Sequence, residues 1–348
     1  MHTIISVYKL RVISLFAGCG GLDLGFIQAG HEIVLATDFD ADCKKTYDRN
    51  FDHPLHLRDV TELRGDELPE YDILTGGFPC QGFSVANIYR HVNDERNILY
   101  LQIVRLLNET RPNYFLAENV PGILSLGKGE VVNQIMKEFS SIGVDDGFLG
   151  YEVKKYLLHA ADYGVPQGRK RVIFLGVSRE INQERRNLLF ENFPPPKTHS
   201  NKIEDALKPY VTLREALGDL PEPDTEEGKQ ILNHYGTKHK VKINGYIGNR
   251  RLSWDKIGPT IVGRGGGTGG PVIAVHPNCE RRFTVRETAR IQTFPDNFEF
   301  LGSVSSQFRQ IGNAVAVLFA NHIGKVLRDF ELGKLLHREN EQLRLNVN

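Results

Sequence analysis

Cys80 stands in the run Gly76-Gly77-Phe78-Pro79-Cys80-Gln81-Gly82-Phe83-Ser84. Before it, Tyr71-Asp72-Ile73-Leu74 reads as a buried strand, which two glycines and a proline then stop. The cysteine is thereby predicted on a tight loop at a strand end, where open α/β sheets hold their ligands. Pro79 fixes its own φ and pushes Phe78 towards extended backbone, so the loop is stiff. A stiff loop suits a thiolate nucleophile, which must be aimed as well as ionised. A free cysteine is also one of the most readily buried residues, so Cys80 alone is equally a small core side chain.

Two further groups have chemistry in their spacing. The apolar run Tyr114-Phe115-Leu116-Ala117 predicts the next buried strand and delivers Glu118 to its tip. A carboxyl there is either a structural acceptor or a general acid whose pKa burial raises. Farther on, Gln167, Arg169 and Arg171 alternate into the strand Val172–Val177. Alternation in extended chain puts the three on one side, and paired guanidiniums suit a phosphate or a carbonyl oxygen. A surface cluster paired with nearby acids is the plainer alternative.

These groups need a scaffold, and the N-terminal half supplies one. The β-rich run from Leu10 to Phe16 leads into Ala17-Gly18-Cys19-Gly20-Gly21 and then a helical pattern from Leu22 to Ala29. Strand, glycine turn and helix open a nucleotide-binding α/β unit. The next strand, Ile33–Ala36, ends in Thr37-Asp38-Phe39-Asp40. Asp38 lies about twenty residues past the glycines, the spacing at which an acid accepts ribose hydroxyls. Phe39 can cover an adenine, and Asp59 ends a third strand over Leu55–Leu57. Each acid alone is an ordinary turn or cap residue; three strand tips in this order favour a nucleoside cofactor. Helices are predicted over Ile98–Asn108 and Gly129–Ser140, and a strand over Tyr151–Ala160. Thr284 and Glu287 form a capping-box pattern ahead of a helix to Ile291. A last helix is predicted to open at Gln310–Val315, with Val315, Phe319, Ile323 and Val326 as its core stripe.

In 348 residues, 43 basic and 43 acidic side chains cancel, so net charge gives no sign of nucleic-acid binding. Its distribution does. Between Lys238 and Arg282 nine basic residues face two acidic ones, a formal +7. That stretch is either a solvated face or a phosphate-contacting surface. The neighbouring run 264–271 is too rich in glycine for a regular element. The cysteines, at 19, 43, 80 and 279, form no Cys-x-x-Cys pair, which argues against a structural zinc and for reduced thiols. No apolar run reaches membrane-spanning length and the first residues read as no signal peptide, so the expected location is the cytoplasm.

Taken together, the motifs resemble those of the bacterial DNA (cytosine-5)-methyltransferases, in the family's order and from Leu10 to about Lys325. The motifs are Phe16-Ala-Gly-Cys-Gly-Gly21, Gly77-Phe-Pro-Cys-Gln81, Glu118-Asn-Val120, Gln167-x-Arg-x-Arg171, Arg286-Glu-x-x-Arg-Ile-Gln-x-Phe-Pro-Asp296 and Gly312-Asn-Ala-Val315. The resemblance implies a Rossmann-like S-adenosylmethionine-dependent sheet with a smaller, irregular target-recognition domain. It implies that Cys80 adds to carbon 6 of a flipped cytosine, that Glu118 protonates ring nitrogen 3, and that Arg171, with Arg169 and Gln167, contacts the base oxygen or an adjacent phosphate. Asp38 would bind the cofactor ribose, Phe39 its adenine and Asp59 the adenine amino group. Phe16, Gly18, Cys19, Gly21, Val60, Pro79, Leu99, Asn313 and Val315 match other cofactor-lining positions.

Some positions depart from the family pattern. Ser14 stands where an Asp is usual, Asp38 where a Glu is usual, and Ala316 and Val317 where prolines are common. The expected layout is a catalytic and cofactor-binding domain over 1–190 and 308–333, a recognition domain and hinge over 191–307, and a charged tail over 334–348. Lys240, Lys242, Arg250, Arg251 and Arg264 are the expected DNA contacts. The expected partners are duplex DNA and a restriction endonuclease acting on the same site, with the enzyme a monomer associated with a bacterial nucleoid. Three rivals stand beside this reading: a tRNA cytosine-5 methyltransferase, a nicotinamide-dependent oxidoreductase and a catalytically silent DNA-binding module. The oxidoreductase leaves Cys80, Glu118 and Gln167–Arg171 without linked roles, and against the silent module every expected catalytic side chain is present.

Overall fold

A computed structural model of the chain describes residues 9–78, 98–202, 206–236, 241, 243–245, 248–263 and 273–337. Pro79, Cys80, Lys240, Lys242 and Arg264 lie outside these described residues.

Seven strands form one sheet: β1 (Arg11–Leu15), β2 (Glu32–Asp38), β3 (Leu55–Leu57), β4 (Ile73–Gly77), β5 (Tyr114–Asn119), β6 (Tyr151–His159) and β7 (Lys170–Ser178). Their order is β3-β2-β1-β4-β5-β7-β6. Every pair is parallel except those made by β7, which runs against both β5 and β6. The order reverses between β1 and β4, the point at which such sheets open a crevice at their strand ends. The glycine turn after β1 and the lead-in to Cys80 after β4 are therefore neighbours, with Leu15 opposite Gly76.

Ten helices accompany the sheet among the described residues: α1 (Gly21–Gln28), α2 (Ala41–Asn50), α3 (Ile98–Thr110), α4 (Glu130–Ser141), α5 (Gln183–Asn192), α6 (Leu213–Leu217), α7 (Glu226–Lys229), α8 (Val285–Ile291), α9 (Val304–Asn313) and α10 (Val317–Glu331). One hydrophobic cluster joins Phe26 of α1 to Phe319, Ile323 and Leu327 of α10 and to Leu189 and Phe190 of α5. Another sets Ile103 and Leu106 of α3 and Ile135 and Phe139 of α4 against Leu74, Phe115 and Phe174 of the sheet. With a helical layer on each face, the interior strand β5 is buried at every position.

The stripe Val315, Phe319, Ile323 and Val326 is buried as expected, but the chain around it differs from its sequence reading. Gln310–Asn313 closes α9 instead of opening the last helix. Ala314 and Ala316 then adopt extended ψ values of 147° and 132°, and α10 begins at Val317. The break follows from where the last carbonyls of α9 go, which is to side chains of other segments. The expected boundary at 308 also falls inside α9. Phe308 and Ile311 belong to a third cluster with Leu213, Phe283, Ala289 and Phe294.

Candidate active site

The tips of β3, β2, β1, β4 and β5 lie side by side, and expected residues stand at or just past those of β3, β2, β1 and β5. At β1 the chain turns with Phe16 at φ 54° and Gly18 at φ 57°. A bulky residue in the left-handed region costs energy and persists only where its surroundings enforce it. The turn directs the Gly18 amide at Asp38 Oδ2, 2.9 Å away, while Asp38 Oδ1 accepts the Asp40 amide at 2.9 Å. Burial pushes the Asp38 carboxyl above its ordinary pKa, and the amides of Asp40 and Gly18 hold it back in part. Next to it the Phe39 ring is 72% exposed, unusual for phenylalanine. Asp59 follows β3 and caps the turn after it, accepting from the amide and hydroxyl of Thr61.

Gly21 is where the C-terminal motif meets this turn. A Cβ at Gly21 would fall 2.4 Å from the Val315 carbonyl, so only glycine lets the two backbones touch. Ahead of that contact Asn313 is exposed. Arg309 of α9 closes the other side with an ion pair of 2.8 Å to Asp40, the N-cap of α2. Cys19 is 1% exposed, with its thiol against the Gln310 carbonyl at 3.5 Å. Burial drives that thiol far above its ordinary pKa, so Cys19 offers the site backbone only. Val60 is buried and Leu99 half-buried within the second cluster. Among the described residues no heavy atom comes within 4 Å of a Cβ built on Gly18. Open space before the glycine turn, an oriented carboxylate and an uncovered aromatic ring together fit a nucleoside cofactor.

Ser14 departs from the expected Asp, and the interior shows why the change is tolerated. Its hydroxyl donates at 2.5 Å to Asp23, which is fully buried and also accepts from Tyr47 at 2.6 Å. The negative charge is thus carried by Asp23 of α1. Burial raises its pKa to about 6 despite both hydrogen bonds.

At the tip of β5, Glu118 pairs with Gly77 in register, and its carboxylate lies 3.2 Å from where a Gly77 Cβ would be. Arg171 Nε is in direct ionic contact with Glu118 Oε1, both side chains being about nine-tenths buried. The next residue, Asn119, donates to the Phe78 carbonyl at 3.1 Å. Phe78 is 3% exposed and packs towards Tyr100 and Phe174. The peptide entering Pro79 and Cys80 is therefore held both by a hydrogen bond and by an apolar anchor. The sequence placed Asn119 at a strand tip but gave no signal of this contact, which depends on β4 lying next to β5.

Two of the expected catalytic contacts have buried side chains with internal hydrogen-bond partners. Gln167 and Arg169 are 0% and 2% exposed. Gln167 donates to the Ile291 carbonyl and to Gln292, and Arg169 donates to the carbonyls of Ile261, Gly312 and Ala314. These donors are engaged internally, and Arg171 alone of the three is in ionic contact with Glu118 among the described residues. Like charge and burial also press the Arg169 guanidinium below its ordinary value, with burial the larger cause.

The basic stretch divides in the same way. Arg250 and Arg251 are exposed. Arg282 is buried and holds the carbonyls of Gly248 and Ile273 and the side chain of Asn249. Arg281 pairs with Glu222 and with Glu287, the capping-box residue of α8. Neither is a surface phosphate contact.

Residues 10–329 match the family of C-5 cytosine-specific DNA methylases. The chain belongs to that family. It is 35% identical to the type II methyltransferase M.BsuRI of Bacillus subtilis, over 97% of this chain and 83% of the relative. It is also 35% identical to M.MthTI of Methanothermobacter thermautotrophicus, over 92% and 97%. The fold resembles that of a prophage-encoded E. coli protein named as a DNA modification methyltransferase, with a TM-score of 0.69 and 29% identity, covering 93% of this chain and all of the other. The S. pombe Dnmt2 methyltransferase shares the fold at a TM-score of 0.65 and 19% identity, covering 93% and 99%. This methylase is accordingly a DNA (cytosine-5)-methyltransferase of the restriction-modification type, with S-adenosylmethionine as methyl donor and DNA as acceptor. Its sheet is the α/β sheet expected of S-adenosylmethionine-dependent enzymes. The nicotinamide, tRNA and silent-module readings fall away. Among the described residues no helix is long and apolar enough to cross a membrane.

Proposed function

We propose that the enzyme methylates a cytosine turned out of the duplex, through a transient bond between Cys80 and the base. The observation that carries this reading is the buried Glu118–Arg171 pair set against Gly77 and Phe78, the residues that lead into Cys80. The Cys80 thiolate adds to carbon 6, and the electron pair of the 5,6 double bond shifts towards nitrogen 3. Glu118 delivers a proton there, so no charge builds up on the ring, and carbon 5 becomes nucleophilic. Arg171 orients the Glu118 carboxyl and offers its remaining donors to the base oxygen. Bound S-adenosylmethionine supplies an electrophilic methyl group. Once carbon 5 carries the methyl group, its proton is lost to solvent, the nitrogen-3 proton returns to Glu118 and the Cys80 thiolate is expelled, which restores the aromatic ring.

Asp38 takes the cofactor ribose, Phe39 stacks on the adenine and Asp59 meets the adenine amino group through its second carboxylate oxygen. Phe16, Gly18, Cys19, Gly21, Val60, Pro79, Leu99, Asn313 and Val315 line the remainder. Residues 191–307 read the DNA site, with Lys240, Lys242, Arg250, Arg251 and Arg264 on phosphates. The enzyme acts as a monomer and shields its site from a cognate endonuclease.

The test is methylation mapping in a host devoid of 5-methylcytosine. The wild type marks one recurrent site and Cys80→Ser marks none. A duplex carrying 5-fluorocytosine at that site should form a denaturant-stable complex with the wild type, since fluorine cannot leave as the proton does. Methylation by Cys80→Ser at the wild-type rate would overturn the covalent reading.

A further inference from the structure

Gln292 follows α8, is fully buried, and has neither charge nor reactive atoms. Its side-chain nitrogen donates to the carbonyls of Ile311 at 2.7 Å and Ala314 at 3.1 Å. Its side-chain oxygen accepts from Gln167 Nε2 at 2.6 Å. Its main-chain carbonyl accepts the Val317 amide at 3.1 Å, and the Thr293 hydroxyl accepts the Leu318 amide at 2.9 Å. These two bonds close the start of α10, which has no side-chain cap of its own.

The Ile311 and Gly312 carbonyls are among those that the end of a helix leaves without an intrahelical partner. Buried, they must find one elsewhere. Gln292 holds the first and Arg169 the second, at 3.1 Å. The same Arg169 holds the Ile261 carbonyl at 2.8 Å, and Gln167 Oε1 holds the Ile261 amide at 3.2 Å. The peptide groups of Ile261 and the segment 311–314 are thus tied to one cluster of three side chains.

No slack separates the two segments. A Cβ on Gly312 would lie 2.3 Å from the Val262 carbonyl, and one on Gly263 would lie 1.5 Å from Asn313 Oδ1. The chain entering the glycine-rich part of the recognition region therefore rests directly on Asn313. A shift of one must displace the other, because close-packed interiors transmit strain.

We propose that Gln292 is a positioning residue that links the seating of S-adenosylmethionine on Asn313–Val315 to the placement of the DNA-recognition segment at Ile261. This rests on the cofactor assignment of Asn313 and Val315. Of side chains this size, an amide alone provides two donors and an acceptor together. Methionine at 292 would keep the volume and lose all three bonds.

The experiment measures equilibrium binding of S-adenosylmethionine by the full chain, with and without unmethylated duplex DNA, in wild type, Gln292→Met, Gln167→Met and Asn313→Ala. In the wild type the two dissociation constants differ. In Gln292→Met the constant without DNA rises about tenfold, the scale of one to two lost hydrogen bonds, and the ratio of the constants moves to one. Gln167→Met leaves Ile311 and Ala314 paired, so it moves the ratio to one with little change in the constant itself. It also reads the link if Gln292→Met does not fold. A wild-type ratio of one, or an unchanged ratio in Gln167→Met, would overturn the proposal. So would a lower melting temperature in Gln292→Met with both constants unchanged, which is the mark of a purely structural residue. Unaltered binding in Asn313→Ala would instead remove the cofactor assignment beneath it.

Discussion

Asn119 donates its side-chain amide to the carbonyl of Phe78 over 3.1 Å, joining the tip of β5 to the peptide that leads towards Cys80. The bond is buried, and Asn119 is 2% exposed. A residue beside Glu118 thereby fixes the approach to Cys80, and in the proposed mechanism it does so without touching substrate.

Asn119→Ala should accordingly slow methyl transfer while sparing cofactor binding. A buried acceptor left unpaired costs about 1–3 kcal/mol, or roughly 5- to 150-fold in rate if the loss falls on the transition state. Single-turnover rates at saturating S-adenosylmethionine measure this, with the melting temperature as control. An unchanged rate would make the bond ornamental to catalysis.

Glu118→Gln removes the counter-charge of Arg171, whose side chain is 10% exposed. Breaking a buried pair from one side costs about 3–5 kcal/mol. We expect a lower melting temperature and abolished methylation. Adding Arg171→Met should recover much of the stability and none of the activity. Equal losses of stability in the single and double variants would show that the pair is not coupled.

Asp23 yields a pH prediction. Burial raises its pKa from 3.8 to about 6 in the folded protein. Between those values the folded state keeps a proton that the unfolded chain has released. Its contribution to stability is therefore full below about pH 4 and lost as pH rises through about 6, a change of about 3 kcal/mol. Chemical denaturation of wild type and Asp23→Asn across pH 4–7 isolates it. The variant should gain on the wild type as pH rises, and parallel profiles would refute the buried titration.

Arg250 and Arg251 are the expected DNA contacts that the structure shows exposed. Replacing both with alanine should lower the slope of log affinity against log salt by about two. Arg282→Ala should act differently, lowering the melting temperature, because its donors hold Gly248 and Ile273. A salt slope unmoved by the double replacement would take Arg250 and Arg251 out of the interface.

Much of the site was legible before folding, because strand-end chemistry is local. Alternating and continuous apolar runs marked β1, β2, β4, β5 and β7, and at or near the ends of the first four stand Phe16, Asp38, Gly77 and Glu118, with the Gln167–Arg171 motif running into β7. The Thr284–Glu287 capping box was likewise readable, since both of its bonds lie within four residues. Less legible was the fate of arginines and glutamines. Arg169, Arg281 and Arg282 look like surface cations in sequence, and each is turned inward to carbonyls or carboxylates from distant segments.

The sequence by itself determined the strands, their succession along the chain and the residue types set near their ends, because periodicity and turn chemistry are properties of neighbours in the chain. Only the tertiary structure decided which polar groups face the crevice and which hold it together. That choice depends on where the orphaned carbonyls of α9 and the peptide of Phe78 come to rest. Gln292 and Asn119 find those acceptors from 19 and 41 residues away, and no local pattern encodes such a meeting.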